Sequence, residues 1–110
     1  MYLGLDLGTS SVKVIVIDDD GLTVAQSSCS LSISHPHPLW SEQNPDDWLK
    51  AAEESILGIP KQIRENIQGI GLSGQMHGAV LIDKKNRPLR PAILWNDGRS
   101  FKECHEMEKN

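Results

Sequence analysis

Cysteine is scarce in this chain of 110 residues: Cys29 and Cys104 stand alone and far apart. Such a pair makes neither a disulfide framework nor a metal-ligand spacing, and two free thiols suit a reducing, cytoplasmic setting. A basic block is also missing. Eleven Lys and Arg face fifteen Asp and Glu, a formal net charge of −4, which gives no footing for a nucleic-acid partner. No apolar run is long enough to span a bilayer, so no membrane partner is expected. The chain opens directly in a strand pattern, without the charged segment and apolar stretch of a secretory leader. Internal repeats and low-complexity tracts are absent. What is present is the composition of a globular chain, 38% hydrophobic and 24% charged, sized for one small domain or part of a larger one.

The most informative stretch runs from Gly4 to Lys13. Residues 2–7 and 12–17 are apolar and rich in β-branched side chains, so they read as paired strands. Between them fall Asp6, Gly8, Thr9, Ser10 and Lys13. A glycine turn with free N–H groups, hydroxyls and a nearby cation can hold phosphate oxygens. An aspartate closing the first strand can hold Mg²⁺, usually through water. The plainer reading is an ordinary hairpin, because Asp, Gly, Thr and Ser dominate turns in any case.

Asp18-Asp19-Asp20-Gly21 predicts a second hairpin turn, and residues 22–33 a third strand, completing an antiparallel meander. Residues 34–43, with Pro36 and Pro38, read as a loop. Asn44 followed by Pro45 predicts a helix start, with Asp46 and Asp47 suited to the positive end of its dipole. Leu49, Ala52 and Ile56, beside Trp48, predict the buried face of that helix, and Gly58-Ile59-Pro60 its stop. After a short polar connection, strands are expected at 68–73, 79–82 and 92–95, with turns at Asp83-Lys84-Lys85-Asn86 and Asn96-Asp97-Gly98. Phe101, Cys104 and Met107 hint at a final helix face. Strands with helices packed on them make an α/β or α+β layer architecture, without the regular alternation of a Rossmann sheet.

Four motifs carry a resemblance. Asp6-Leu7-Gly8-Thr9-Ser10, Trp40-Ser41-Glu42-Gln43-Asn44-Pro45, Gly74-Gln75-Met76-His77-Gly78 and Trp95-Asn96-Asp97-Gly98-Arg99 resemble, in that order, the N-terminal segment of the bacterial xylulokinases within the FGGY group of carbohydrate kinases. The resemblance implies an α/β fold of the actin-like (ribonuclease H-like) ATPase type, with residues 1–110 forming an incomplete N-terminal part of the first of two domains. It implies transfer of the ATP γ-phosphoryl group to the 5-hydroxyl of the sugar D-xylulose, with ATP and Mg²⁺ as cofactors, in a protein that is a homodimer at full length. Asp6 then matches the metal and phosphate aspartate, and Gly8, Thr9 and Ser10 the loop facing the ATP phosphates, with Lys13 beside it. Gln75, Met76 and His77, with Trp95 and Asp97, fall on the sugar side. The family's catalytic base and adenine-binding glycines lie downstream of these residues, so the isolated chain is expected to be inactive. Ser11 stands where the family usually has glycine.

Several of these residues keep a second reading. Lys13 fits a solvated strand face, Met76 a core gap, and His77 an exposed turn. Trp95 could line a cleft or end a buried strand, and Asp97 and Arg99 could orient a site or pair with each other. His35 and His37 bracket a proline without a third ligand nearby, which is poor metal spacing. The alternatives in function are another FGGY kinase acting on ribulose, gluconate or glycerol, a catalytically inert actin-like fragment, and a ribonuclease H-like nuclease. The last shares the meander and its first-strand aspartate but needs clustered carboxylates for two-metal hydrolysis.

Overall fold

A computed structural model describes residues 1–110. In chain order the elements are β1 (Tyr2–Leu7), β2 (Ser11–Ile17), β3 (Thr23–Ser30), β4 (Glu42–Gln43), α1 (Pro45–Leu57), α2 (Lys61–Arg64), β5 (Gly69–Gly74), β6 (Ala92–Ile93) and α3 (Phe101–Glu108). They form two compact units, one of Met1–Ser32 with Asp46–Gln75, the other of Ile33–Pro45 with Met76–Asn110.

The first unit is a four-stranded mixed sheet in the order β3-β2-β1-β5, antiparallel except for the parallel β1–β5 pair. The expected meander is there. Its second turn closes on Asp18, whose Oδ1 accepts from the N–H groups of Asp20 and Leu22 at 3.0 and 2.9 Å, while Gly21 takes the positive φ of 81° that glycine tolerates. Strand alternation sets Leu3, Leu5 and Leu7 opposite Val16, Val14 and Val12 on one face. Leu3, Val14, Val16 and Ile59 form the core, with Ile56, Ile63 and Ile67 packed against it.

Helix α1 has the predicted start and stop and part of the predicted buried face: Ile56 packs against the core, and Trp48 and Ala52 are half-buried. Leu49 is 64% exposed, whereas Ala51 and Ser55 are buried. The smallest side chains of the helix lie against the sheet, and the Ser55 hydroxyl donates to the Val12 carbonyl at 3.3 Å. Gly58 serves the same close approach. It carries no positive φ, but a Cβ there would collide with Ser27 Oγ and stand 3.1 Å from Ser27 Cβ. The polar connection after it holds the short helix α2.

In the second unit β4 pairs antiparallel with β6, in the register Glu42↔Ile93 and Gln43↔Ala92. The segment expected to be wholly loop thus supplies a strand. The strand expected at 79–82 is reduced to single bridges, Ala79 with Ile93 and Ile82 with Pro88. Pro88 and Pro91 explain this, because each removes a donor from the returning arm. Its turn rests on Asp83, which accepts from the backbone N–H of Lys85 and Arg87 at 2.8 and 3.0 Å. α3 follows as expected and is exposed throughout.

Candidate functional site

In the first unit, the turn Gly8-Thr9-Ser10 joins β1 to β2. The Gly8 N–H donates to Ser11 C=O at 3.0 Å, and a Cβ on Gly8 would stand 3.0 Å from that same oxygen, a tight contact that the turn would have to ease by a small shift. The Leu31 N–H donates to Ser10 C=O at 2.8 Å and ties the turn to the end of β3. Asp6 lies opposite Lys13 on β2 and Ser73 on β5, on the sheet face away from the Val12–Val14–Val16 core. Gly4 and Gly71, the pair one row away, contribute no side chains. The result is a shallow concavity of about 420 Å³ bordered by Asp6, Lys13, Ile15 and Ser73.

This arrangement fits Mg²⁺ in the way small hard cations are commonly held, by one carboxylate with water and substrate phosphate completing the shell. No group of three or more His, Cys, Asp and Glu is placed to cage a metal with protein ligands alone. Asp6 is exposed and offers a hard oxygen, and the Lys13 ammonium is exposed on the neighbouring strand. Thr9 behaves differently from its neighbours. Its hydroxyl donates to Gln75 Oε1 at 3.2 Å, and the Gln75 N–H donates to Leu7 C=O at 2.8 Å. Ser10 is exposed.

In the second unit, Met76 is 71% exposed and His77 sits at φ 59°, a left-handed conformation uncommon outside glycine. Two residues on, Ala79 exchanges backbone bonds of 2.8 and 3.1 Å with Ile93. That places the chain following His77 beside the strand that leads to Trp95, itself 57% exposed. Trp95 therefore does not end as a buried strand residue.

Asp97 is not open to solvent. Its side chain is 2% exposed and is gripped by Arg99, Nε to Oδ1 at 2.9 Å and Nη2 to Oδ2 at 2.7 Å, while the Ser41 N–H donates to Oδ2 at 2.6 Å. The Arg99 guanidinium beside it holds the carboxyl well below the usual carboxylate range, against the opposing effect of burial. Arg99 Nη2 also reaches Glu42 Oε1 at 2.8 Å, and Arg90 Nη2 reaches the same oxygen at 2.6 Å. The two carboxylates hold the Arg99 proton still more firmly than usual. Its guanidinium lies 3.8 Å over the Trp40 ring, a stacking contact that adds to the ion pairs. Of the two readings of Asp97 and Arg99, the structure gives pairing.

Glu42, Ser41, Trp40 and Arg90 belong to this network, yet sequence reasoning gave them no role. The available signal was a glutamate between Ser41 and Gln43 in a segment otherwise read as loop. His35 Nδ1 lies 2.8 Å from Trp40 C=O and 3.3 Å from Ser41 Oγ, and His37 meets the Trp40 ring edge-on with centroids 4.5 Å apart. Both are loop-building residues. The Cys29 thiol donates to Glu54 Oε2 at 3.0 Å, which pushes its pKa up and opposes thiolate chemistry.

An antiparallel meander extended by a parallel strand is a mixed α/β arrangement of the actin-like kind. The chain belongs to the FGGY family of carbohydrate kinases, whose N-terminal domain it matches over residues 1–110. It is 49% identical over 109 residues to a xylulose kinase of Escherichia coli (strain K12), a match covering 98% of this chain and 22% of that one. A crystal structure described as a xyloylose kinase from Brucella ovis superposes with a TM-score of 0.94 at 50% identity, covering 98% of this chain and 23% of that one. A gluconokinase of Bacillus subtilis (strain 168) is 33% identical over 108 residues, covering 97% of this chain and 21% of its own. The chain thus spans about 22% of the length of the first of these relatives.

Proposed function

We propose that these 110 residues are the N-terminal part of the first actin-like domain of a sugar kinase, which transfers the γ-phosphoryl group of ATP to the 5-hydroxyl of D-xylulose. The observation that carries the reading is the intact Asp6–Gly8–Thr9–Ser10 turn in a chain half identical to xylulose kinases. Phosphoryl transfer asks the protein for positioning and charge neutralisation more than for covalent chemistry. Asp6 would hold Mg²⁺, which supplies charge compensation on the phosphates when bound. Gly8, Thr9 and Ser10 offer backbone and hydroxyl groups to the phosphates, and Lys13 a compact positive charge.

On the sugar side, the His77 imidazole can exchange hydrogen bonds with sugar hydroxyls. Gln75 and Met76 precede it in the chain, and Trp95 is exposed. Asp97 acts through Arg99 and Ser41, as the group that fixes the turn after Trp95, and it does not contact the sugar. The general base is supplied by residues beyond these 110, so the isolated chain turns over no ATP. In this reading the full-length protein is a cytoplasmic homodimer whose partner is a small sugar.

Gluconate is the second reading, supported by the 33% identity to a gluconokinase. The deciding experiment assays the purified full-length protein with ATP and Mg²⁺ against D-xylulose, D-ribulose, D-gluconate and glycerol. D-Xylulose is expected to give the highest kcat/KM by at least tenfold. A preference for any of the other three would overturn the substrate assignment.

A further inference from the structure

We infer that Glu42 is a positioning residue for the sugar, acting through Arg90 and Arg99 to hold the turn that carries Trp95. The inference rests on the sugar-kinase reading above and deepens it. Glu42 is 7% exposed, and its Oε1 accepts from Arg90 Nη2 at 2.6 Å and from Arg99 Nη2 at 2.8 Å. These two arginines stand at opposite ends of one segment. Arg90 precedes β6, and Arg99 follows the Asn96-Asp97-Gly98 turn. One carboxylate oxygen therefore pins both ends of the stretch whose middle holds Trp95.

The backbone around Trp95 is held by the segment that supplies Glu42. The Leu94 N–H donates to Ser41 C=O at 3.0 Å before it, and the Gly98 N–H donates to Leu39 C=O at 2.7 Å after it. Between them the Asp97 N–H donates to Leu94 C=O at 3.1 Å, which makes Trp95 and Asn96 the central pair of a β-turn. Leu94 is buried at 2% exposure, while Trp95 is 57% exposed. Glu42 itself pairs with Ile93 across β4 and β6, so the sheet that leads to Trp95 also places the carboxylate. The backbone bonds set the path of the two arms, and the ion pairs on Glu42 close them. Charge is balanced in the cluster, with Glu42 and Asp97 against Arg90 and Arg99. Removing the Glu42 charge would leave two guanidiniums for one carboxylate and release Arg90. A turn ordered in this way before the sugar arrives lowers the ordering cost of binding.

The test uses the full-length protein and reads sugar and nucleotide separately. Steady-state KM values for D-xylulose and for MgATP are measured in wild type, E42Q, R90A, R90K, W95A and R90A/W95A, with thermal unfolding of each. Arg90 meets Glu42 through Nη2 alone, without a bidentate fork, so lysine can stand in for it and alanine cannot. R90A is expected to raise the KM for D-xylulose about 3- to 5-fold, within the range of a partly exposed ion pair, with the KM for MgATP changed less than twofold. E42Q should raise it about tenfold or more, because both arginines lose their charged acceptor. R90A leaves Glu42 paired with Arg99, so it carries the test even where E42Q fails to fold. R90K should stay within about twofold of wild type, and R90A should add less than about twofold on the W95A background. A merely structural Glu42 would lower the unfolding temperature and the active fraction but leave the sugar KM in place, and that result in R90A overturns the inference. So does an equal loss in R90K and R90A, a full R90A effect on the W95A background, or a W95A enzyme with the wild-type sugar KM. A wild type that phosphorylates none of the four sugars overturns the kinase reading itself, an outcome distinct from an active wild type with an indifferent R90A.

Discussion

Arg99 grips Asp97 at two points, Nε to Oδ1 at 2.9 Å and Nη2 to Oδ2 at 2.7 Å, across a turn only two residues long. The same guanidinium reaches Glu42 Oε1 at 2.8 Å and stacks 3.8 Å from the Trp40 ring. One side chain thus binds the Trp40–Gln43 motif to the Trp95–Arg99 motif. A bidentate, stacked arginine of this kind cannot be replaced by lysine without losing both the fork and the stacking surface. The network makes the turn after Trp95 rigid while Trp95 itself stays exposed.

Replacing Asp97 with Asn keeps an acceptor for the Ser41 N–H but sets an uncharged amide against Arg99. With the carboxylate 2% exposed, the lost charge-assisted bonds cost about 2–3 kcal/mol. Chemical unfolding of D97N should show this loss, and an unfolding midpoint equal to wild type would mean the network contributes nothing to stability.

Acid should erase that difference. The folded carboxyl titrates well below its ordinary value of 3.8, so the unfolded state binds the proton first. The stabilisation is complete above about pH 5 and is lost as pH falls through 3.8 towards the folded value. The stability gap between wild type and D97N should therefore be constant from pH 6 to 8 and narrow below pH 4. A gap that widened in acid would reverse the assigned sign.

Much of the first unit was legible because its signals are local. Strand alternation in β1 and β2, the Asp18–Gly21 turn and the Asn44-Pro45 start each lie within a few residues. On the buried face of α1, Ile56 was legible but Ala51 and Ser55 were not, because their small size matters only once the sheet is beside them. β4 and β6 are two residues each, too short to show a period. On the candidate site, the residue types in the turn were readable, but their partners were not. Thr9 and Gln75 are 66 positions apart, and Glu42 and Arg99 are 57. Pairings over such distances leave no trace in spacing.

Asp6 should separate activity from stability. It is exposed on the sheet face away from the core, so D6N is expected to leave the unfolding free energy within about 0.5 kcal/mol of wild type. Loss of the carboxylate should lower the Mg²⁺-dependent kcat of the full-length enzyme about 100-fold or more. A D6N enzyme of near-normal kcat would remove Asp6 from the metal and phosphate assignment.

Gly58 tests the close approach of α1 to β3. A Cβ there meets Ser27 Oγ and Cβ and lies 3.3 Å from the Ser55 carbonyl oxygen. G58A is expected to destabilise by about 1–3 kcal/mol through overpacking. The serine atoms are the closest obstacles, so placing G58A on an S27G background should recover at least half of the loss that G58A causes in the wild type. Equal losses on both backgrounds would show that the backbone, not Ser27, sets the limit.

His77 offers a way to divide a side-chain role from a backbone one. At φ 59° a non-glycine residue is strained by about 1–2 kcal/mol, and glycine is not. H77G should therefore be at least as stable as wild type, whereas H77A, which keeps the Cβ, should gain nothing. Both remove the imidazole, and if that ring meets the sugar, both should raise the KM for D-xylulose by about tenfold or more while leaving the KM for ATP near normal. The pair is informative because both remove the imidazole while only H77A keeps the Cβ that strains the left-handed backbone. A KM that returned to normal in H77G but not in H77A would assign the residue to backbone shape alone, and a normal KM in both would take His77 out of the sugar site.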